Sequence, residues 1–190
     1  MKQHKGIYEH LVTLRKAIEG RNYDSGELSK ASRIGAWWAL SSARKDFDFS
    51  TPKIVSLQRS YTNTFGYNEM PWYASGDVYY ITAKVPAVSL KFVLALLNSR
   101  LYFLWLYFKG KRKSEMLELY QKPLSEIPIK RIPPDAQKPF IKLVDRILAS
   151  KQRDAGADVS ELERQIDGLV YALYGLTPEE IKLIEAGTGK

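Results

Sequence analysis

Glu115 with Glu118, and Glu161 with Glu163, are carboxylate pairs whose spacing could support general acid–base chemistry. Both pairs sit among lysines and arginines, in patterns that mark a solvated face. Pro133-Pro134-Asp135 resembles the opening of a nuclease-type Pro-Asp motif, but no Asp/Glu-x-Lys strand follows it. The nearest match, Glu180-Ile181-Lys182, falls in a helical pattern. His4 and His10 are the only histidines and lack the i, i+4 spacing of a helical zinc pair. With no cysteine, the chain has no disulfide framework, thiolate metal site or cysteine nucleophile, which suits a reducing cytosol. A Gly-x-Ser-x-Gly elbow and a glycine-rich phosphate loop are also missing. These residues point away from catalysis in this chain.

Recognition chemistry is better represented. Arg, Asn, Gln and Glu can hydrogen-bond base edges in the major groove. Residues 58–75 offer Gln58, Arg59, Asn63, Asn68 and Glu69 among Tyr61, Phe65, Tyr67, Trp72 and Tyr73. Lys109, Lys111, Arg112 and Lys113 suit phosphate contacts, which fix register without reading sequence. The plainer reading stays open: the aromatics pack a core and the polar residues solvate a long loop. Charge is uneven along the 190 residues, whose net is +8. Residues 1–150 hold 24 basic against 13 acidic side chains; residues 151–190 hold 5 against 8. A basic body with a mildly acidic tail points to a bound polyanion.

The elements that must position these residues follow from periodicity and punctuation. Ile7, Leu11, Leu14 and Ile18 predict a helix over 7–19, with Gly20 after it. A Gly- and Ser-rich loop and the Trp37-Trp38 pair follow, the pair expected to serve packing. The runs KIVSL and DVYYITA read as strands, separated by about twenty polar and aromatic residues. Ser89 caps a helix that Asn98 closes, and Ser99 caps a second helix running toward Gly110. KGKRK, at 109–113, reads as a basic loop, and LSEIPI as a short edge strand. Beyond Pro133 two apolar stripes flank the turn at 154–158, with capping boxes at Ser160/Glu163 and Thr177/Glu180 and a stop at Gly175. The apolar stretch 90–108 carries Arg100 near its middle, which costs roughly 2.5–3.5 kcal/mol on insertion. It is therefore expected to be buried core rather than a membrane span. The N-terminus has no apolar signal region, and a cytoplasmic location is expected.

KFVLALLNSRLYFLWLYF, a basic Gly-containing loop and PLSEIPI, in that order, resemble a signature of DNA target-recognition domains in bacterial restriction–modification systems. Upstream, WWALSSARKDFDFSTPKIVSL is similar to the entry of the TaqI-like C-terminal specificity domain. Downstream, IDGLVYALYGLTPEEIKLIE is similar to the closing helix of those enzymes and of type I specificity subunits. The resemblance implies the recognition portion of a larger, type IIG adenine-specific DNA methyltransferase. The family's Asn-Pro-Pro-Tyr motif is absent here. Catalysis and S-adenosylmethionine are thus expected in an upstream domain or subunit, with no cofactor in this chain. Met1 opens either a fragment or a split subunit, and both stay open.

The expected fold is α+β: a mixed, largely antiparallel sheet flanked by helices, then a C-terminal helical hairpin. Residues 1–133 are expected to form the recognition domain and 134–190 the helical tail. Base readout is expected from Arg59, Asn63, Asn68, Glu69, Tyr120 and Gln121. Phosphate contacts are expected from Arg44, Lys45, Lys109, Lys111, Arg112, Lys113 and Lys122. The expected partner is double-stranded DNA, and no metal is expected. Half of a type I specificity subunit, or a protein-interaction module docking through the helical hairpin, are the alternatives.

Overall fold

A computed structural model describes residues 4–19, 47–74, 76–83 and 85–188. Trp37, Trp38, Arg44 and Lys45 lie outside the described residues. The chain forms two compact units, Met1–Phe47 and Asp48–Lys190. The first contains α1 (Lys5–Glu19), the helix expected from its apolar spacing.

The second unit opens with β1 (Lys53–Leu57), β2 (Arg59–Ser60), β3 (Phe65–Asn68) and β4 (Val78–Ile81). Two helices follow in series, α2 (Leu90–Asn98) and α3 (Arg100–Lys109), and then a hairpin of β5 (Lys111–Lys113) and β6 (Met116–Glu118). The chain ends in α4 (Gln121–Ser125), α5 (Pro134–Arg153), α6 (Ser160–Tyr174) and α7 (Pro178–Thr188). This is the expected α+β class with antiparallel pairing. The strands divide into two three-stranded sheets, ordered β3-β1-β4 and β2-β6-β5. Gln58 joins them, its N–H donating to Asp77 O just before β4 of one and its carbonyl accepting from Leu119 N just after β6 of the other.

Helix α2 is the hub of the core. Phe92, Leu94, Ala95, Leu96 and Leu97 are buried on it, among Ile54 and Phe65 of the first sheet, Leu117 of the second, and Phe140 and Val144 of α5. That nearly all-round apolar character is what a core helix needs, and it accounts for the membrane-like hydropathy of 90–108. Among the described residues no single helix is long and apolar enough to cross a membrane. The axis bends by 70° between α2 and α3.

Polar side chains cap and brace both helices around that bend. Ser89 Oγ accepts from Lys91 N at the start of α2, and Ser99 Oγ accepts from Tyr102 N at the start of α3. The Asn98 amide behaves like a short strand: its Oδ1 accepts from Phe65 N at 2.9 Å and its Nδ2 donates to Phe65 O at 3.0 Å. It thereby pairs an open backbone position on the edge strand β3. Arg100 N donates to Asp167 Oδ1 of α6 at 2.9 Å, locking the second helix onto the tail.

Three local expectations change. In place of the basic loop expected at 109–113, residues 111–118 form a β-hairpin whose two-residue turn carries Ser114 at φ 55°. LSEIPI forms no strand, because Pro128 lacks an N–H for a ladder. Tyr102 Oη donates to Pro128 O instead, and Tyr174 Oη lies 2.6 Å from Tyr102 Oη. Ser160 is the first residue of α6 rather than its cap, with its N–H and hydroxyl both held by Asp158 Oδ1. The Thr177/Glu180 box forms as expected, and Gly175 takes the left-handed conformation at φ 67°.

Candidate nucleic-acid interface

The small sheet β2-β6-β5 gathers much of the basic chemistry. Arg59 and Lys111 each lie directly opposite Glu118, on either side of the central strand β6. Directly opposed residues share a face, so one row runs Arg59–Glu118–Lys111 across the sheet. Arg59 Nε donates to Glu118 Oε1 at 3.4 Å, and Lys111 Nζ lies 3.6 Å from Glu118 Oε2. Tyr120 Oη donates to Glu118 Oε2 at 3.3 Å, and Lys111 Nζ stands 5.3 Å over the Tyr120 ring. Leu117 and Leu119, fully buried on the opposite face, fasten the strand to the core.

Exposure grades this row. The Arg59 and Lys111 side chains are 42% and 63% exposed, and Glu118 only 9%. Burial pushes the Glu118 carboxyl up, but the Arg59 hydrogen bond, the Lys111 charge and the Tyr120 hydroxyl outweigh it. The net result is a carboxyl held below the usual glutamate value. The Tyr120 hydroxyl, then Glu118, raise the Lys111 ammonium above the ordinary lysine value. Both groups are therefore charged at neutral pH.

An open depression of about 380 Å³ adjoins the row, lined by Lys109, Gly110, Lys111, Tyr120, Lys122 and Glu126 among others. Lys113 shares the face of Lys111, two residues along an exposed strand. Arg112 points to the other face and stacks on Tyr107 at 4.0 Å from the ring centroid. Gln121 is exposed at the start of α4. The structure thus brings together Arg59, Lys109, Lys111, Tyr120 and Lys122, with Lys113 and Gln121 near them in the chain.

The other expected readers sit elsewhere. Asn63 is 2% exposed, and its Nδ2 donates to Leu97 O at 2.7 Å and Ser99 O at 2.9 Å. Its donors are spent on the helix bend, so it positions α2 and α3 and faces no partner. Asn68 ends β3, where its Oδ1 accepts from Met70 N. Glu69 belongs to a network with Lys91, 3.3 Å away, which also binds Asp145 at 2.8 Å. The Tyr67 hydroxyl, then Lys91, hold the Glu69 carboxyl low.

Two residues escape a reading of the sequence. Glu118, expected to be solvated, is the recessed centre of the basic row; the alternation Leu117-Glu118-Leu119 is the signal that could have found it. Lys53 is wholly buried, and its ammonium donates to Phe49 O, Thr51 O and Met70 O, each at 2.9 Å. It pins the segment that exposes Met70 and Tyr73. Nothing in the pattern around Lys53 announces this.

A family model described as the TaqI-like C-terminal specificity domain matches residues 15–129. The chain belongs to this family. The match covers both sheets and the α2–α3 pair and stops just before α5. Over 44 residues, 23% of this chain, the specificity domain is 43% identical to the type II methyltransferase M.HincII of Haemophilus influenzae. It has the same identity over the same length to the type II methyltransferase M.HindII of Haemophilus influenzae strain Rd. The matched stretch covers 9% of the first relative and 8% of the second.

Proposed function

We propose that this specificity domain recognises a short sequence in duplex DNA for a larger adenine-specific methyltransferase, in a type IIG restriction–modification enzyme. Methyl transfer to an adenine inside a duplex requires the base to be flipped. One domain must then grip the duplex while another performs the chemistry. S-adenosylmethionine belongs, on this reading, to an upstream catalytic domain or subunit. The chain's lack of the Asn-Pro-Pro-Tyr motif supports that division. Residues 1–133 carry recognition and 134–190 act as a helical tail.

The observation that carries the reading is the Arg59–Glu118–Lys111 row beside the lysine-lined depression. Lys109, Lys111, Lys113 and Lys122 meet phosphates. Arg59, Tyr120 and Gln121 read base edges, with Asn68 and Glu69 at a second point of approach. A rigid sheet carrying variable exposed residues can change its target without refolding.

The test is a salt titration of binding to a pool of random duplexes, with the bound fraction sequenced. It is run on the chain and on Lys111→Ala and Arg59→Ala. Lys111→Ala is expected to weaken every sequence alike and to lower the salt slope by about one. Arg59→Ala is expected to relax preference at one position, costing roughly 1–3 kcal/mol there. Identical behaviour of the two variants would contradict the assignment of roles. Binding of a protein partner, with no DNA bound at low salt, would favour an interaction module.

A further inference from the structure

An acidic side chain inside a DNA-facing basic row is unfavourable unless it has a task, because it opposes the phosphate charge. Glu118 is too recessed to be a base contact itself: it lies behind Arg59 and Lys111 and is 9% exposed. What it does touch is defined. It takes the Arg59 guanidinium through Nε at 3.4 Å, while Tyr120 Oη and Lys111 Nζ hold its other oxygen. An arginine engaged through Nε keeps its two terminal nitrogens for a second partner, in the fork that matches guanine O6 and N7. No hydrogen bond engages those nitrogens among the described residues. The two backbones are also fixed, since Arg59 and Glu118 are cross-strand partners anchored by the buried Leu117 and Leu119.

Resting on the DNA-recognition reading above, we propose that Glu118 is a specificity-positioning residue. It fixes the Arg59 guanidinium for end-on recognition of guanine in the major groove, so the target sequence contains a G·C pair opposite Arg59. Preorganisation explains why an acid is worth keeping here. A free arginine on the same strand would contact phosphates and bases indiscriminately, whereas one tethered through Nε presents a single edge.

The experiment repeats the random-duplex selection on the chain, on Arg59→Lys and on Glu118→Gln, with thermal melting of each protein. Arg59→Lys keeps the charge and loses the fork. Glu118→Asp, which withdraws the carboxylate by one methylene, serves if Glu118→Gln does not fold. The chain is expected to enrich guanine at one position. Both variants are expected to lose that preference about tenfold, at that same position, with preference at the other positions unchanged. A merely structural Glu118 would shift the melting temperature and leave sequence preference intact, which would overturn the proposal. So would a uniform loss across all sequences, or loss at a position that Arg59→Lys leaves alone. An enriched motif with no guanine sensitive to Arg59 would overturn it while leaving DNA recognition standing. A chain that binds no duplex at low salt would overturn both.

Discussion

Lys53 is a charged side chain used as a fastener. Three backbone carbonyls, from Phe49, Thr51 and Met70, converge on one ammonium inside the protein. Buried carbonyls without donors are costly, so the charge and the loops that meet it must be kept together. Lys53→Met fills the same space and supplies no hydrogen bond. It is expected to lower stability by about 1–3 kcal/mol in urea denaturation. Amide exchange and proteolysis should rise in the Met70–Tyr73 segment; a change below about 0.5 kcal/mol would contradict this role. Asn63 teaches the related lesson that a polar residue in an aromatic-rich stretch can be wholly inward. Its partners are 34 and 36 residues away in sequence, and the Arg59–Glu118 pair spans 59. Contacts that distant leave no local pattern, so the clustering of basic residues could be read from the sequence and the pairing of Arg59 with Glu118 could not.

At the level of elements, the helices were the most readable part. Ser89, Ser99, Thr177 and Gly175 do at their positions what their side chains and φ angles favour, and local chemistry suffices to place them. The strands of the β5–β6 hairpin were not readable. Lys111-Arg112-Lys113 lacks the apolar alternation that marks a strand, because this edge faces solvent on both sides. Its lysines also protect the edge from pairing with another chain. The hairpin starts from Gly110, whose N–H donates to Leu106 O at 3.0 Å. A Cβ there would come within 2.4 Å of the Leu106 carbonyl oxygen. Gly110→Ala must therefore shift backbone, with an expected cost of about 1–3 kcal/mol by chemical denaturation. It should also impair DNA binding, since Lys109 and Lys111 flank the glycine; unchanged stability and binding would contradict the close approach.

Across the whole molecule, buried and partly buried phenols add a pH limit to the charge asymmetry already described. Burial, then Glu69, pushes the Tyr67 hydroxyl up to about 12. Burial, then Asp167 and Glu185, raises Tyr171 to about 12 as well. Tyr102 is shifted in the same direction, first by burial and then by Tyr174. An unfolded tyrosine ionises near 10, so above that pH the unfolded chain gives up protons that the folded chain retains. This contribution is complete below pH 10 and is lost as pH rises through about 12. The melting temperature is expected to fall across that window, and Tyr171→Phe should make the fall shallower. A melting temperature that stays level from pH 10 to 12 would contradict the burial of these hydroxyls.

If the basic face around the small sheet reads duplex DNA, a salt titration of the chain against random duplexes should show affinity falling steeply as salt rises. Sequencing of what is bound should yield an enriched short motif containing guanine. No binding even at low salt would contradict that reading.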